Sequence, residues 1–154
     1  MSATPGTPRP STNPFQSSAS QAAHVPTAHH LRATTVAKPW GHELIYAQGT
    51  HGYVGKLLMV KAGGSLSLQL HRTKDETMHV LSGDALLEAG ADPDDLEATS
   101  MHAGDTVHLP ALVVHRITAV TDVVLAEVST AAPGWEHDVV RLADAYGRDG
   151  TSTP

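Results

Sequence analysis

Cysteine is absent from the 154-residue chain. That excludes disulfides, thiolate metal sites and cysteine nucleophiles, and leaves His, carboxylates and amide oxygens as the available metal ligands. No apolar run approaches the roughly 20 residues a membrane-spanning helix needs, so no membrane partner is expected. Acidic residues are missing before Glu43. All sixteen lie from there on, opposed by seven basic residues, because Arg9, Arg32 and Lys38 of the ten Lys and Arg come earlier. A net charge of −6 argues against nucleic acid, whose phosphates call for a basic surface. A cytoplasmic protein acting on a small molecule fits these exclusions. With 40% apolar residues the chain can bury the core of one domain without staples. The unusual abundance is histidine, eleven residues in all, which directs the search toward a metal.

Residues 1–32 mix Pro, Ser, Thr and Ala with a single Phe, too little apolar surface to offset the entropy of ordering, and are expected to be a disordered tail. Without a charged start and an apolar stretch the tail does not read as a secretory signal. The expected domain runs over 33–148, with 149–154 as a frayed end. Within it, short β-rich runs recur between turn signals. They cover Tyr53–Val60, Ser65–His71, Thr77–Leu81, Ala85–Glu88, Leu96–Ser100, Thr106–Leu109, Val113–Ala119 and Asp122–Ser129. Such spacing predicts an all-β sandwich or barrel. One short helix is expected in Val139–Ala145.

Ser65–His71 alternates cleanly, with Leu66, Leu68 and Leu70 on one face and Ser67, Gln69 and His71 on the other. A strand puts Gln69 and His71 on one side about 7 Å apart. A water-facing sheet surface produces the same alternation, so the pattern alone does not make a site. Glu76 opens the next strand after a polar link, where a reversal brings it back beside His71. A second cluster, Gly104-Asp105-Thr106-Val107-His108-Leu109-Pro110 followed by His115, can add one imidazole. Two His and one carboxylate suit Fe(II), Mn, Ni, Co or Zn; a Gln amide oxygen is a weaker, neutral fourth ligand. Open positions would remain, as in catalytic rather than structural sites.

The stretch Gly63-x5-Gln69-x-His71-x4-Glu76-x6-Gly83 resembles the first cupin motif, with Gln for its first His, and Gly104-x5-Pro110-x4-His115 resembles the second. The Q-x-H variant is similar to that of phosphomannose isomerase-type cupins. Lys38-Pro39-Trp40-Gly41-His42-Glu43 resembles the opening segment of that group, and Val139-Val140-Arg141 with Ala145-Tyr146-Gly147-Arg148 resembles its closing segment. The resemblance implies a small double-stranded β-helix, or jelly-roll barrel. It also implies one divalent metal on Gln69, His71, Glu76 and His115, and a homodimer. Leu112 stands where the second motif usually has Gly, so the turn before His115 is expected to avoid a positive φ. Arg72-Thr73 replaces a His-rich stretch. The nucleotidyltransferase domain found with this cupin in bifunctional enzymes has no counterpart in these residues. These departures bear on the substrate rather than on the metal.

Lys56, Glu43 and Tyr53 are the candidate catalytic residues. A lysine directed into a barrel is costly unless it meets a carboxylate or an anionic substrate. Arg141 and Arg148 are candidates for holding a phosphate or carboxylate through their planar fork, although Arg141 can equally pair with Asp138 or Asp144. His79 is expected on the outer face, His108 in a structural hydrogen bond, and His42, His51 and His102 in solvated loops. The resemblance implies a metal-dependent isomerase of a sugar or sugar phosphate. One alternative is another cupin chemistry. His71, Glu76 and His115 form the set used by Fe-dependent oxygenases, and Lys74-Asp75-Glu76-Thr77 with Val139-Val140-Arg141 resembles the cupin half of hydrazine-forming synthetases, which join two nitrogens. The other is a non-catalytic small-ligand-binding cupin.

Overall fold

The computed structural model describes residues 27–48 and 52–152. Most of the expected disordered tail, and His24 and His51, lie outside them. Strands β1 (Thr34–Lys38), β2 (Gly41–Gln48), β3 (Tyr53–Val60), β10 (Val123–Thr130), β5 (Glu76–Ser82) and β8 (Thr106–Leu109) make one antiparallel sheet in that order. Strands β11 (Val139–Ala143), β4 (Leu68–His71), β9 (Val114–Ala119), β6 (Ala85–Asp92) and β7 (Asp95–Met101) make the other. The architecture is the expected all-β cupin barrel. No helix among the described residues is long and apolar enough to cross a membrane.

Alternation along each strand divides the barrel interior into two ends. Leu58, Leu125 and Val80 lie in register across β3, β10 and β5 and are almost fully buried. With Ile117, Met78 and Val123 they form the apolar core. Two and then four residues along the same inward rows, the side chains turn polar: Lys56 opposite Glu127, then Ser129 opposite Glu76, with His115 on β9, all buried. An inward strand face is normally apolar, so five polar residues gathered at one end mark a site rather than a core.

Turns fix where that end lies. Gly41 closes the β1–β2 reversal at φ 147°, where a Cβ would come 2.0 Å from the Met59 carbonyl oxygen. Gly83, at φ 84°, passes equally close to Asp122. Both need glycine for room as well as for backbone freedom.

Three local expectations give way. The run expected to be a helix in Val139–Ala145 is strand β11, whose Val139 and Val140 pair with His71 and Leu70 of β4. Partnership with an open sheet edge overrides a weak local preference for helix. Helical structure there is a single 3-10 turn, Trp135–His137, just upstream. The second concerns Leu112, which does adopt a positive φ, 72°. Ser65, expected inside a continuous strand with His71, makes only an isolated bridge to Thr118, and the strand proper begins at Leu68.

Candidate metal centre

Gln69 and His71 leave β4 on its inner side, and Gln69 sits in register with His115 of β9. Glu76 begins β5 in the opposite sheet, so the four-residue link 72–75 carries the chain across the barrel mouth between His71 and Glu76. One donor atom from each of His71, Glu76 and His115 lies within 4.8 Å of the other two, and all three side chains are buried. His71 Nε2 is 2.8 Å from Glu76 Oε1, and His115 Nε2 is 3.8 Å from Glu76 Oε2. The His71 contact is close but not aligned as a hydrogen bond, and neither His71 nitrogen nor Glu76 Oε2 has a hydrogen-bonding partner. Buried polar atoms are rarely left unmatched. One His71 nitrogen and a Glu76 carboxylate oxygen, converging with a nitrogen of His115, fit a cation.

The tautomer of His115 suits that role. Its Nδ1 is 3.0 Å from the Val113 carbonyl, so Nδ1 carries the hydrogen and Nε2 presents its lone pair inward. Burial, aided by His71 and Lys74, pushes its pKa down against the pull of Glu76 and Val113, favouring the neutral form that ligates. Burial disfavours the Glu76 carboxylate, but His71, Lys74 and His115 outweigh it and hold its pKa well below the ordinary carboxylate range. Gln69 accepts from Ser67 Oγ at 2.8 Å through Oε1 and turns its amide nitrogen toward His115 Nε2 at 3.5 Å.

Behind Glu76 runs a chain of alternating charge. Lys74 Nζ touches Glu76 Oε1 and is 3.2 Å from Glu127 Oε1, which also accepts from Ser129 Oγ at 3.1 Å. Lys56 Nζ lies 3.7 Å from Glu127 and 3.9 Å from Glu43, and Glu43 meets Lys38 Nζ at 3.5 Å. The Lys56 ammonium also stands 5.2 Å over the ring of Trp135. Burial opposes the Lys74 charge, but Glu127 and Glu76 more than compensate and raise its pKa. At the far end burial lowers the Lys38 pKa, with Lys56 and Arg141 adding to it against Glu43.

A cavity of about 210 Å³ opens onto these groups, lined by Gln69, His71, Glu76, Lys56, Trp135 and Arg141 among others. Of the expected catalytic residues, Glu43 and Lys56 line it; Tyr53 does not, lying 47% exposed at the outer start of β3. Arg141 and Arg148 both line it. Arg148 pairs with Asp144 through two nitrogens at 2.6 and 3.0 Å, and Arg141 donates to Thr151. His79 bonds Thr106 on the outer face, His108 lies between Thr77 and Asp75, and His102 meets Asp84 at the surface.

Sequence reading passed over Lys74, Glu127 and Trp135 as parts of the site. Glu127 was recoverable from the inward parity of Val123, Leu125 and Glu127. Lys74 sits in a polar link, where solvation is the ordinary expectation, and only the crossing of the link over the barrel mouth turns it inward.

The family model described as mannose-6-phosphate isomerase C-terminal matches residues 25–144. Among curated proteins, the xanthan biosynthesis protein XanB of Xanthomonas campestris pv. campestris is 32% identical over 115 residues, covering 73% of this chain and 23% of that protein. The alginate biosynthesis protein AlgA of Pseudomonas putida is 35% identical over 130 residues, 83% of this chain and 24% of the relative. The chain thus spans about a quarter of the length of the curated relatives it matches. Among solved structures, a variant of Bacillus subtilis oxalate decarboxylase OxdC aligns with TM-score 0.60 at 21% identity, over 71% of this chain and 30% of that one. KdgF from Halomonas sp. aligns with TM-score 0.55 at 16% identity, over 66% and 87%. At these identities the structural likeness concerns the fold.

Proposed function

The chain belongs to the family described as mannose-6-phosphate isomerase C-terminal, and on that premise we propose that it is a metal-dependent isomerase of a small sugar or sugar phosphate. The observation that carries the reading is the convergence of His71, Glu76 and His115 donor atoms within 4.8 Å, with His71 and Glu76 lining an open cavity that also takes in Lys56, Arg141 and Arg148. Those three residues would hold one divalent ion, Zn, Fe, Mn, Co or Ni. Gln69 joins them if its amide turns over to present oxygen, a half-turn that exchanges the two ends of the group. An ion held there would polarise adjacent carbonyl and hydroxyl oxygens and acidify the C–H between them.

The chain's own groups supply the rest. In this reading Lys56, whose Nζ lies between Glu43 and Glu127, moves the proton at the substrate carbon. In the same reading Arg141 holds an anionic end of the substrate, joined by Arg148 if that side chain exchanges its pair with Asp144 for the substrate, while Trp135 forms part of the cavity wall. We place the protein in the cytoplasm as a homodimer. Support for the dimer comes from the outer face of the six-stranded sheet, where Leu44, Tyr46, Leu57, Met59, Val124 and Val128 lie side by side. The outward rows of β3 and β10 hold no charged residue.

Turnover of mannose 6-phosphate is expected after loading with at least one of Zn, Mn, Co or Ni. Silence with all four would remove the specific substrate. A second reading, an Fe-dependent oxygenase or another tailoring cupin such as an N–N bond-forming enzyme, is supported by His71, Glu76 and His115 making a two-His, one-carboxylate set on their own. Oxygen uptake on adding Fe(II) separates the two. If the purified protein holds no metal, turns over no substrate and loses no stability on Glu76→Ala, a plain binding module is left.

A further inference from the structure

Between the candidate ligands His71 and Glu76 the chain makes a short crossing from one sheet to the other, and a single carboxylate from elsewhere grips it. Asp138 Oδ2 accepts from the backbone N–H of Thr73 at 3.0 Å, from that of Lys74 at 2.7 Å and from Thr73 Oγ1 at 3.1 Å, while Oδ1 accepts from the N–H of Arg72 at 3.2 Å. Three consecutive N–H groups converging on one carboxylate form an anion-holding nest. Asp138 is itself anchored on both sides. Its N–H closes the 3-10 turn by donating to Trp135 at 3.2 Å, and the next residue, Val139, pairs with His71.

We infer that Asp138 is a positioning residue for the metal. By fixing the backbone of 72–74 it sets the separation of His71 from Glu76 and aims Lys74 inward onto Glu76 and Glu127, without itself touching the ion. This rests on the metal reading above. Charged hydrogen bonds are the strong ones, and outer partners of metal ligands typically change metal affinity ~10–100-fold when removed. A carboxylate needed only for folding would lower stability and leave the ion's affinity and surroundings as they were.

The test uses the full chain and Mn(II) alone, with affinity from competition against a chelating dye and the ion's surroundings from its EPR spectrum. Asp138→Ala is expected to weaken Mn(II) by about tenfold or more and to broaden the spectrum. Asp138→Asn keeps the oxygen facing Thr73 and Lys74 but sets an amide hydrogen against the Arg72 N–H, so a loss of about threefold is expected. Glu88→Gln, which disturbs a pair with Arg116 on the outer face, should bind Mn(II) as the parent does. If the parent binds Mn(II) and Asp138→Ala stays within twofold with the same spectrum, the positioning role is overturned and the metal reading stands. If Asp138→Ala does not fold, the same comparison on Asp138→Asn decides. A parent chain that binds no Mn(II) is compared with its variants on Zn(II) and Co(II) by the same dye competition and the same twofold criterion, and one that binds none of the three overturns both.

Discussion

The backbone N–H of Leu112 donates to the carbonyl oxygen of His71 at 2.7 Å, and it does so from the left-handed region, at φ 72°. The bond ties the turn that precedes His115 to the strand that carries His71, so two candidate ligands on different strands share one backbone link. Only the N–H takes part. The Leu112 side chain is 63% exposed, so it recovers little of the roughly 1–2 kcal/mol that a left-handed L-residue costs.

Leu112→Gly should therefore stabilise the protein. Relief of the left-handed strain is offset in part by the greater freedom of glycine in the unfolded chain, leaving a net gain of about 0.5–1 kcal/mol. Urea unfolding measures it. A loss of stability on that substitution would show that the Leu112 side chain does packing work its exposure conceals.

Glu127 is the carboxylate shared by Lys74 and Lys56. Glu127→Gln keeps the volume and leaves two buried ammonium groups short of a partner. Breaking a buried pair from one side typically costs about 3–5 kcal/mol. Lys56 retains Glu43 and Trp135, and Lys74 retains Glu76, so the lower end of that range is expected. The same unfolding experiment checks it, and a change under about 1 kcal/mol would mean that the two lysines are solvated in solution.

His115 gives a pH dependence with a definite sign. Its folded pKa lies below the ordinary 6.5, so as pH falls through that value the unfolded chain takes up a proton that the folded chain does not. Stability then falls with pH, at up to about 1.4 kcal/mol per unit for one proton, until the folded pKa is reached. Unfolding in EDTA at pH 7.5, 6.5 and 5.5 should show the decline, and His115→Gln should flatten it. An equal slope in both proteins would assign the effect to other groups.

The apolar outer face of the six-stranded sheet predicts what breaks the proposed dimer. Val128, 54% exposed and opposite Gly55, belongs to it on a central strand of the sheet. Val128→Lys should shift light-scattering mass after gel filtration from two chains to one, with the far-UV spectrum unchanged. A parent protein that already elutes as one chain would end the proposal.

Much of the site was legible before the fold. The inward parity of Gln69 and His71, the spacing to Glu76 and the second turn before His115 are local properties of strands, which the sequence carries in its alternation. What escaped depends on which strands become neighbours. Lys74 and Glu127 are 53 residues apart and meet only because β5 and β10 pair. Val139–Ala143 becomes a strand because β4 offers it an edge. Tyr53 shares the inner strand of Lys56 yet points outward, since an odd separation places it on the other face.

β11 also gives the site an order of assembly. Every candidate ligand, from Gln69 to His115, leaves the ribosome before Asp138 and Val139, which grip the crossing and pair with His71. A nascent chain that has emerged as far as Thr130 already holds all four side chains but lacks the strand that steadies two of them. Metal competence would then arrive as a late, single event in synthesis, and a chain cut short after residue 133 would keep its ligands while losing their arrangement.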